Sequence, residues 1–273
     1  MKKILFSIFA VAASVAAVAQ TDVWVWKSGV LVTATIADSI TFTEPVFTDF
    51  YHDGTEGRYN YVDLGLTSGT KWATMNLGAN KSEDYGNYYA WGETDIKSTY
   101  SWSTYLDGNI TGSDDCGTDK DLLKGVTDIA GTEYDVVYVN WGGKWRMPTK
   151  AQQDELRGGC YWVWTEDYNN SGVKGYIVYK AKDSSDKGVY VYSGGTPSAS
   201  YSLSDAHIFL PAAGRRYSVS LIGAGSDGYY WSSAPDTDYP SYAWDVYFYS
   251  GYAFHSNGYR NYGQSVRAVI PAE

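Results

Sequence analysis

Cysteine, histidine, methionine and proline are scarce in this chain: two, three, three and seven of 273 residues. Two cysteines are too few to staple a disulfide scaffold. An oxidising compartment would let Cys116 and Cys160 pair, closing a loop worth roughly 4 kcal/mol in the chain-entropy account; the alternative is two free thiols. His52, His207 and His255 stand far apart with no cysteine or second histidine at zinc-ligand spacing, which disfavours a zinc site. His207, just before Ile208-Phe209-Leu210, reads as a strand-end residue with a satisfied ring. Beyond the N-terminal leader no apolar run approaches the ~20 residues that span a bilayer, so no transmembrane segment is expected. Basic residues are also few: 21 against 31 acidic ones give a net charge of −10. That balance repels phosphate backbones and disfavours nucleic acid as a partner. No period of ~20–50 residues repeats, which argues against solenoids and propellers.

Catalytic signatures are missing as well. Gly223-Ala224-Gly225-Ser226-Asp227-Gly228 has the spacing of a dinucleotide loop, but a strand-like run follows where a helix should open, so it reads as a turn. Asp114-Asp115 and Asp119-Lys120-Asp121 offer carboxylates without the twelve-residue calcium loop and its closing Glu. Ser232-Ser233 lacks the flanking glycines of a nucleophile elbow and reads as strand-end hydrogen bonding. No Asp/Glu pair singles itself out for glycoside hydrolysis. The expectation is a protein that is not an enzyme and uses no cofactor or metal.

What is present begins with Lys2 and Lys3, an apolar run from Ile4 to Val18, and Ala17-Val18-Ala19 before Gln20. This is the form of a secretory signal peptide over 1–19. Its removal leaves 19 basic against 31 acidic residues, a net charge of −12. No cysteine follows the cleavage point, which disfavours a lipoprotein anchor and points to secretion or an extracellular surface. Residues 20–44 read as a small β element: a hairpin over Val23 to Ile36, then a short strand at Asp38 to Phe42. Residues 45–58, with Pro45, Gly54 and Gly57, read as a linker. From Tyr59 to the end, short aromatic or β-branched runs alternate with Gly, Asn, Asp and Ser. Strands are expected at 61–66, 71–77, 88–91, 161–165, 175–182, 188–192, 207–210, 229–232, 242–249 and 265–270. Thr149 with Gln152 makes a capping box, and Gly158-Gly159 ends the helix it opens. Leu122 to Val126 is a weaker helix candidate, broken by Gly125. The fold class read from this is α+β and loop-rich, with short strands and one or two short helices.

Tyr229 to Tyr262 spends 13 of 34 positions on Tyr, Trp and Phe, with Ser, Asp, Asn, Gly and Ala filling most of the rest, no lysine, and Arg260 as its one arginine. Rigid amphipathic rings among small adaptable polar residues make a binding surface of the antibody-paratope kind. Alternation along 242–249 puts Tyr242, Trp244, Val246 and Phe248 on one face, apolar enough for core. Asp245, Tyr247 and Tyr249 are expected on the exposed face, joined by Tyr252, Phe254, His255, Asn257, Tyr259, Asn261 and Tyr262 from a following loop. Tyr239 and Tyr242 border the set. Trp72, Trp91, Trp141, Trp145 and Trp231 are expected in the core, and Arg146 and Arg267 as loop-holding donors to carbonyls or carboxylates.

Seven motifs occur in order: Tyr61-Val62-Asp63-Leu64-Gly65-Leu66, Lys71-Trp72-Ala73-Thr74-Met75-Asn76-Leu77-Gly78, Tyr89-Ala90-Trp91-Gly92-Glu93, Asn140-Trp141-Gly142-Gly143-Lys144-Trp145-Arg146-Met147-Pro148-Thr149, Ile208-Phe209-Leu210-Pro211-Ala212-Ala213-Gly214, Gly228-Tyr229-Tyr230-Trp231-Ser232-Ser233 and Ser265-Val266-Arg267-Ala268-Val269. Together they resemble the Fibrobacter succinogenes major paralogous domain (FISUMP), a secreted family of Bacteroidetes-type bacteria, over 59–273. The resemblance implies a C-type lectin-like fold, shared with the variable proteins of diversity-generating retroelements. In those proteins replacement of adenines turns Asn codons into Tyr, Ser, Asp, His, Phe, Ala or Gly, the residues that dominate 241–262. A diversified surface and an undiversified aromatic face would both look like this. The calcium-binding tripeptides of sugar-binding C-type lectins are absent, as is the reactive cysteine pair of the formylglycine-generating enzymes. The implied function is capture of a protein or glycan ligand on a cell or phage surface. Two rivals stay open: a carbohydrate-active extracellular enzyme, and a structural part of a surface assembly.

Overall fold

The computed structural model of the protein describes residues 23–27, 30–34, 51–108 and 110–272. The chain forms two compact units, Met1–Pro45 and Val46–Glu273. In the first, β1 (Val23–Lys27) and β2 (Val30–Ala34) form the hairpin, with Val25 opposite Val32. The signal peptide at 1–19 and the strand at 38–42 lie outside the described residues.

The second unit corrects the expected fold class. Among the described residues strand accounts for 35% and helix for 14%, in several small sheets with only two α-helices. The described residues are therefore mainly β, which overturns the α+β expectation, and nothing in their architecture speaks for a C-type lectin-like fold. The physical reason lies in the connections. Between strands the chain turns through 3₁₀ segments such as Trp102–Thr104 and Ser113–Asp115, so long loops add little α-helix. The candidate at 122–126 is a set of turns. The helix at α2 (Lys150–Gly159) forms as its capping box predicts, with Thr149 Oγ1 accepting from Gln152 N. A second helix, α1 (Val136–Trp141), is capped by buried Asp135, whose carboxylate accepts from Val137 N and Tyr138 N.

One four-stranded sheet runs β15 (Arg267–Ile270), β5 (Lys71–Asn76), β4 (Tyr59–Val62), β3 (Gly54–Glu56). The end of the 45–58 stretch thus supplies an edge strand. A second runs β8 (Val189–Val191), β6 (Cys160–Thr165), β7 (Gly175–Lys180), β9 (His207–Pro211), with β6 and β8 parallel. A small hairpin pairs β10 (Arg215–Tyr217) with β11 (Ser220–Ile222). The third large sheet is β12 (Asp227–Pro235), β13 (Tyr242–Tyr249), β14 (Tyr252–Tyr259). The expected strand at 88–91 reduces to a single bridge, Tyr89 to Gln264.

Trp72, Trp91, Trp145 and Trp231 are buried, while Trp141 is half-buried and stacks on Tyr59 at 3.7 Å. Buried indole N–H groups are costly without partners; Trp72 Nε1 has none, and the other three do. Trp91 donates to Ser232 O at 2.9 Å, Trp231 to Tyr89 O at 2.9 Å and Trp145 to Glu56 O at 3.0 Å. Arg146 donates to Gly143 O and Trp145 O. Arg267, 1% exposed, donates to Asn76 Oδ1, to Ala73 O and Thr74 O beside it, and to Phe209 O of β9. It ties the two four-stranded sheets together. Cys116 and Cys160 are both free and buried in separate core clusters, so the pairing alternative falls.

Replacing Arg267 by Met removes one planar donor and orphans several buried acceptors, at an expected cost of ~3–5 kcal/mol. Arg267→Lys recovers only part, because an ammonium cannot reproduce the fork. Urea unfolding midpoints of the three proteins measure this; a Lys variant as stable as the parent would contradict it. Thiol titration of denatured, unreduced protein should find both cysteines reactive, and reductant should leave the melting temperature unchanged.

Candidate ligand-binding surface

The β13–β14 hairpin brings the aromatic segment together. Tyr252–Tyr259, expected as loop, is a full strand in register with Tyr242–Tyr249: Tyr242 faces Tyr259, Tyr247 faces Phe254 and Tyr249 faces Tyr252. On the other side Tyr229 pairs with Tyr247 and Asp227 with Tyr249. Alternation therefore gives one face Asp227, Tyr229 and Trp231, then Tyr249, Tyr247 and Asp245, then Tyr252, Phe254 and Ser256. The other carries Tyr230, Phe248, Val246, Trp244, Tyr242, Ala253, His255, Asn257 and Tyr259.

That second face packs inward at its centre. Tyr230, Val246, Phe248 and Ala253 join the core. Phe248 lies so close to Gly228 that a Cβ there would sit 2.1 Å from its ring, so only glycine fits opposite it. Beyond them α2 covers the sheet: Gln153 donates to Tyr230 O and Trp231 O, Arg157 to Ala253 O, and Lys150 sits 5.0 Å over the Trp244 ring. His255 is half-buried against Asp154 of this helix, and burial lowers its pKa. It belongs to helix packing and does not extend the exposed set. Asn257 donates to buried Asp236 at 2.6 Å, and the same carboxylate accepts from Asp238 N and Tyr239 N, fixing the turn that presents Tyr239.

Two further expected surface residues are buried: Asp245 is 1% exposed and Asn261 2%. At that end the outer face is covered by the returning chain, where Gln264 Nε2 donates to Asp245 Oδ2 at 2.7 Å and Gly258 lies against both and against Trp231. Sequence alternation placed Asp245 on the right face but could not see that the face is covered there.

The remaining rings form an unbroken series. Tyr252 lies 4.9 Å from Phe254, Phe254 5.0 Å from Tyr247, and Tyr247 stacks on Tyr229 at 4.7 Å. The Arg215 guanidinium then bridges, 4.6 Å from the Tyr229 ring and 4.8 Å from that of Tyr262. Tyr262 continues to Tyr259 at 5.6 Å, which stacks on Tyr242 at 4.2 Å, and Tyr239 closes the series at 6.2 Å. Tyr249 branches off 6.1 Å from Tyr247. Tyr239, Tyr249 and Tyr252 are the most open, at 63%, 43% and 48% exposed; the other members are half-buried. Each aromatic pair contributes ~0.5–1.5 kcal/mol beyond burial, so the rings hold one another in place before any ligand arrives.

Sequence reasoning left Arg215 and Tyr229 out of this set, together with Tyr217 and Trp102, which pack edge-on against Tyr262 and Tyr259. Tyr229 was visible as part of the aromatic segment. Arg215 gave no local signal, because only the β10–β11 hairpin carries it over the rings.

Three of the carboxylates between Asp114 and Asp121 are paired with cations. Asp121 pairs with buried Arg260 at 2.6 Å, Asp115 with Lys120 and Asp119 with Lys124. Among the described residues no group of three metal-type side chains comes together. No helix there is long and apolar enough to cross a membrane.

Burial pushes the Asp245 carboxyl up to about 7. The folded chain thus holds this proton where the unfolded chain, with a pKa of about 3.9, has lost it. Stability is therefore lost as pH rises from about 4 to about 7, by up to about 1.4 kcal/mol per pH unit. Asp245→Asn should remove that loss, so its stability should rise relative to the parent across this window. Urea midpoints from pH 4.5 to 8 measure it, and parallel curves would contradict it.

A family model described as a domain of unknown function (DUF8237) matches residues 195–269. No curated protein and no solved structure matches the chain. The matched stretch contains every member of the ring series.

Proposed function

We propose that this chain is a secreted or cell-surface ligand-binding protein that captures a protein or glycan on a cell or phage surface through the ring series of its C-terminal sheet. The observation that carries the reading is the unbroken run of half-exposed rings from Tyr252 to Tyr239, bridged by Arg215. Stacked rings have few rotamers left to lose, so little ordering entropy opposes binding. Aromatic and arginine side chains are also those that dominate interface hot spots. The signal-like leader and the motif resemblance to a secreted family support the extracellular setting.

Binding is favoured over hydrolysis by the state of the carboxyls. Asp245, whose pKa is raised towards a general acid's, is sealed from solvent. Tyr229, Tyr247, Tyr249, Tyr252 and Phe254 sit on strands whose opposite-facing residues make the core, so these rings can vary without disturbing it. That arrangement suits diversification, which a template repeat beside the gene, differing mainly at adenines, would establish.

A glycan-array and surface-protein screen with the mature protein tests the reading. Changing Tyr239, Tyr242 and Tyr252 together to Ala should weaken capture at least tenfold while leaving circular dichroism unchanged and the melting temperature within a few degrees. Undiminished capture by this variant would remove the ring series from the binding site.

A further inference from the structure

We infer that the cleft at the Tyr249 end of the ring series is a subsite for a neutral sugar residue of a glycan; this rests on the binding reading above and specifies its ligand. The cleft encloses about 380 Å³ and is lined by Trp164, Glu166, Lys174, Asp227, Tyr247 and Tyr249, among others. That size lies at the small end of ligand pockets, about 300–1,000 Å³. Two elements that are distant in sequence meet here: the β6–β7 connection supplies Glu166 and Lys174, and the C-terminal sheet supplies Asp227 and the tyrosines.

Its polar groups are fixed in advance. Glu166 Oε1 accepts from the Trp164 indole at 2.6 Å and from Ser193 Oγ at 2.9 Å, while Oε2 pairs with Lys174 Nζ at 2.8 Å. Asp227 Oδ1 accepts from the Tyr247 hydroxyl at 2.7 Å, and its Oδ2 from Ser226 Oγ. An ionised carboxylate has about four acceptor sites, so Asp227 keeps room for further donors and Glu166 keeps room at Oε2. The Glu166 and Lys174 side chains remain 53% and 45% exposed. Tyr249 adds an open ring face, 43% exposed, beside them.

Hydroxyls that both donate and accept, carried on a ring with an apolar face, match this set. The carboxylates accept, Lys174 donates, and Tyr249 offers a surface for the C–H face of the sugar. Charge argues against the alternatives. Glu166 and Lys174 neutralise each other, so an anionic sugar would meet Asp227 on a chain of net charge −10, while a cationic side chain, which Asp227 would attract, would also meet the Lys174 ammonium and is the rival the test includes. Hydrolysis is not implied. The hydrogen bond from Lys174 holds the Glu166 carboxyl down at about 2, so it stays ionised and has no proton to give a leaving group.

Saturation-transfer NMR on the full protein tests this, with neutral trisaccharides of glucose, galactose, mannose, xylose and N-acetylglucosamine as probes and trilysine as the rival. At least one trisaccharide should receive saturation. Glu166→Gln and Lys174→Met should each lower its affinity at least tenfold at an unchanged melting temperature. A Val139→Ala variant, altered on the exposed side of α1 outside both the cleft and the ring series, should bind the trisaccharide like the parent. No transfer from any trisaccharide would overturn the inference, as would affinities that neither cleft variant changes. Binding of trilysine alone, lost in Glu166→Gln, would assign the cleft to a cation. In any of these cases, capture in the array screen that depends on Tyr239, Tyr242 and Tyr252 would leave the ring-series reading standing.

Discussion

A buried polar chain through Arg267, Asn76 and Tyr230 connects the three large sheets. Arg267 donates at 2.7 Å both to Asn76 Oδ1 and to Phe209 O. Asn76 in turn donates to the Tyr230 hydroxyl at 3.2 Å, and that hydroxyl donates to Pro211 O at 2.7 Å. β15 and β5, β9, and β12 are thus held by one hydrogen-bonded path within the core. A charge in such a place is tolerated only when its donors are nearly all used. The geometry also fixes how the sheets meet, which hydrophobic contact alone, being non-directional, does not. The ring series inherits its position from this path, because Tyr230 belongs to the strand that carries Tyr229.

The C-terminal hairpin is anchored at its other end by a second buried charge. Arg260, one residue past β14, pairs with Asp121 and lies over Trp91 and Tyr105 at 5.6 and 5.7 Å. Both partners are almost fully buried, so removing one would strand the other's charge, and the pair specifies the loop's location more than it adds net stability. Between these two anchors the rings need only pack sideways. That division, rigid polar anchors behind and aromatic side chains in front, lets a surface be exposed and yet preset.

The same division separates the tyrosines by role. Tyr105 and Tyr230 are buried and spend their hydroxyls on backbone carbonyls of Trp91 and Pro211. Tyr239, Tyr249 and Tyr252 are exposed. Tyr247 stands between, its hydroxyl committed to Asp227 and its ring shared by the stack and the cleft. One residue type therefore builds core, frame and contact surface, and burial alone distinguishes them.

Local signals in the sequence determined the elements. The capping box at Thr149 and Gln152 set the start of α2, period-two alternation set β13 to the residue, and glycine-rich punctuation identified the turn before Asp227, where Gly223 and Gly225 adopt positive φ. The sequence also marked the aromatic segment as unusual, and Arg267 as a donor to carbonyls. Tertiary structure decided the rest. It made the chain mainly β, turned the expected loop at 252–259 into a paired strand, and kept Cys116 and Cys160 in separate clusters. It also buried Asp245 and Asn261, gave His255 to α2, carried Arg215 to the middle of the ring series, and brought Glu166 to the cleft beside Tyr247 and Tyr249. Periodicity along a strand says which residues share a face, but which part of that face stays open depends on segments distant in sequence that fold over it.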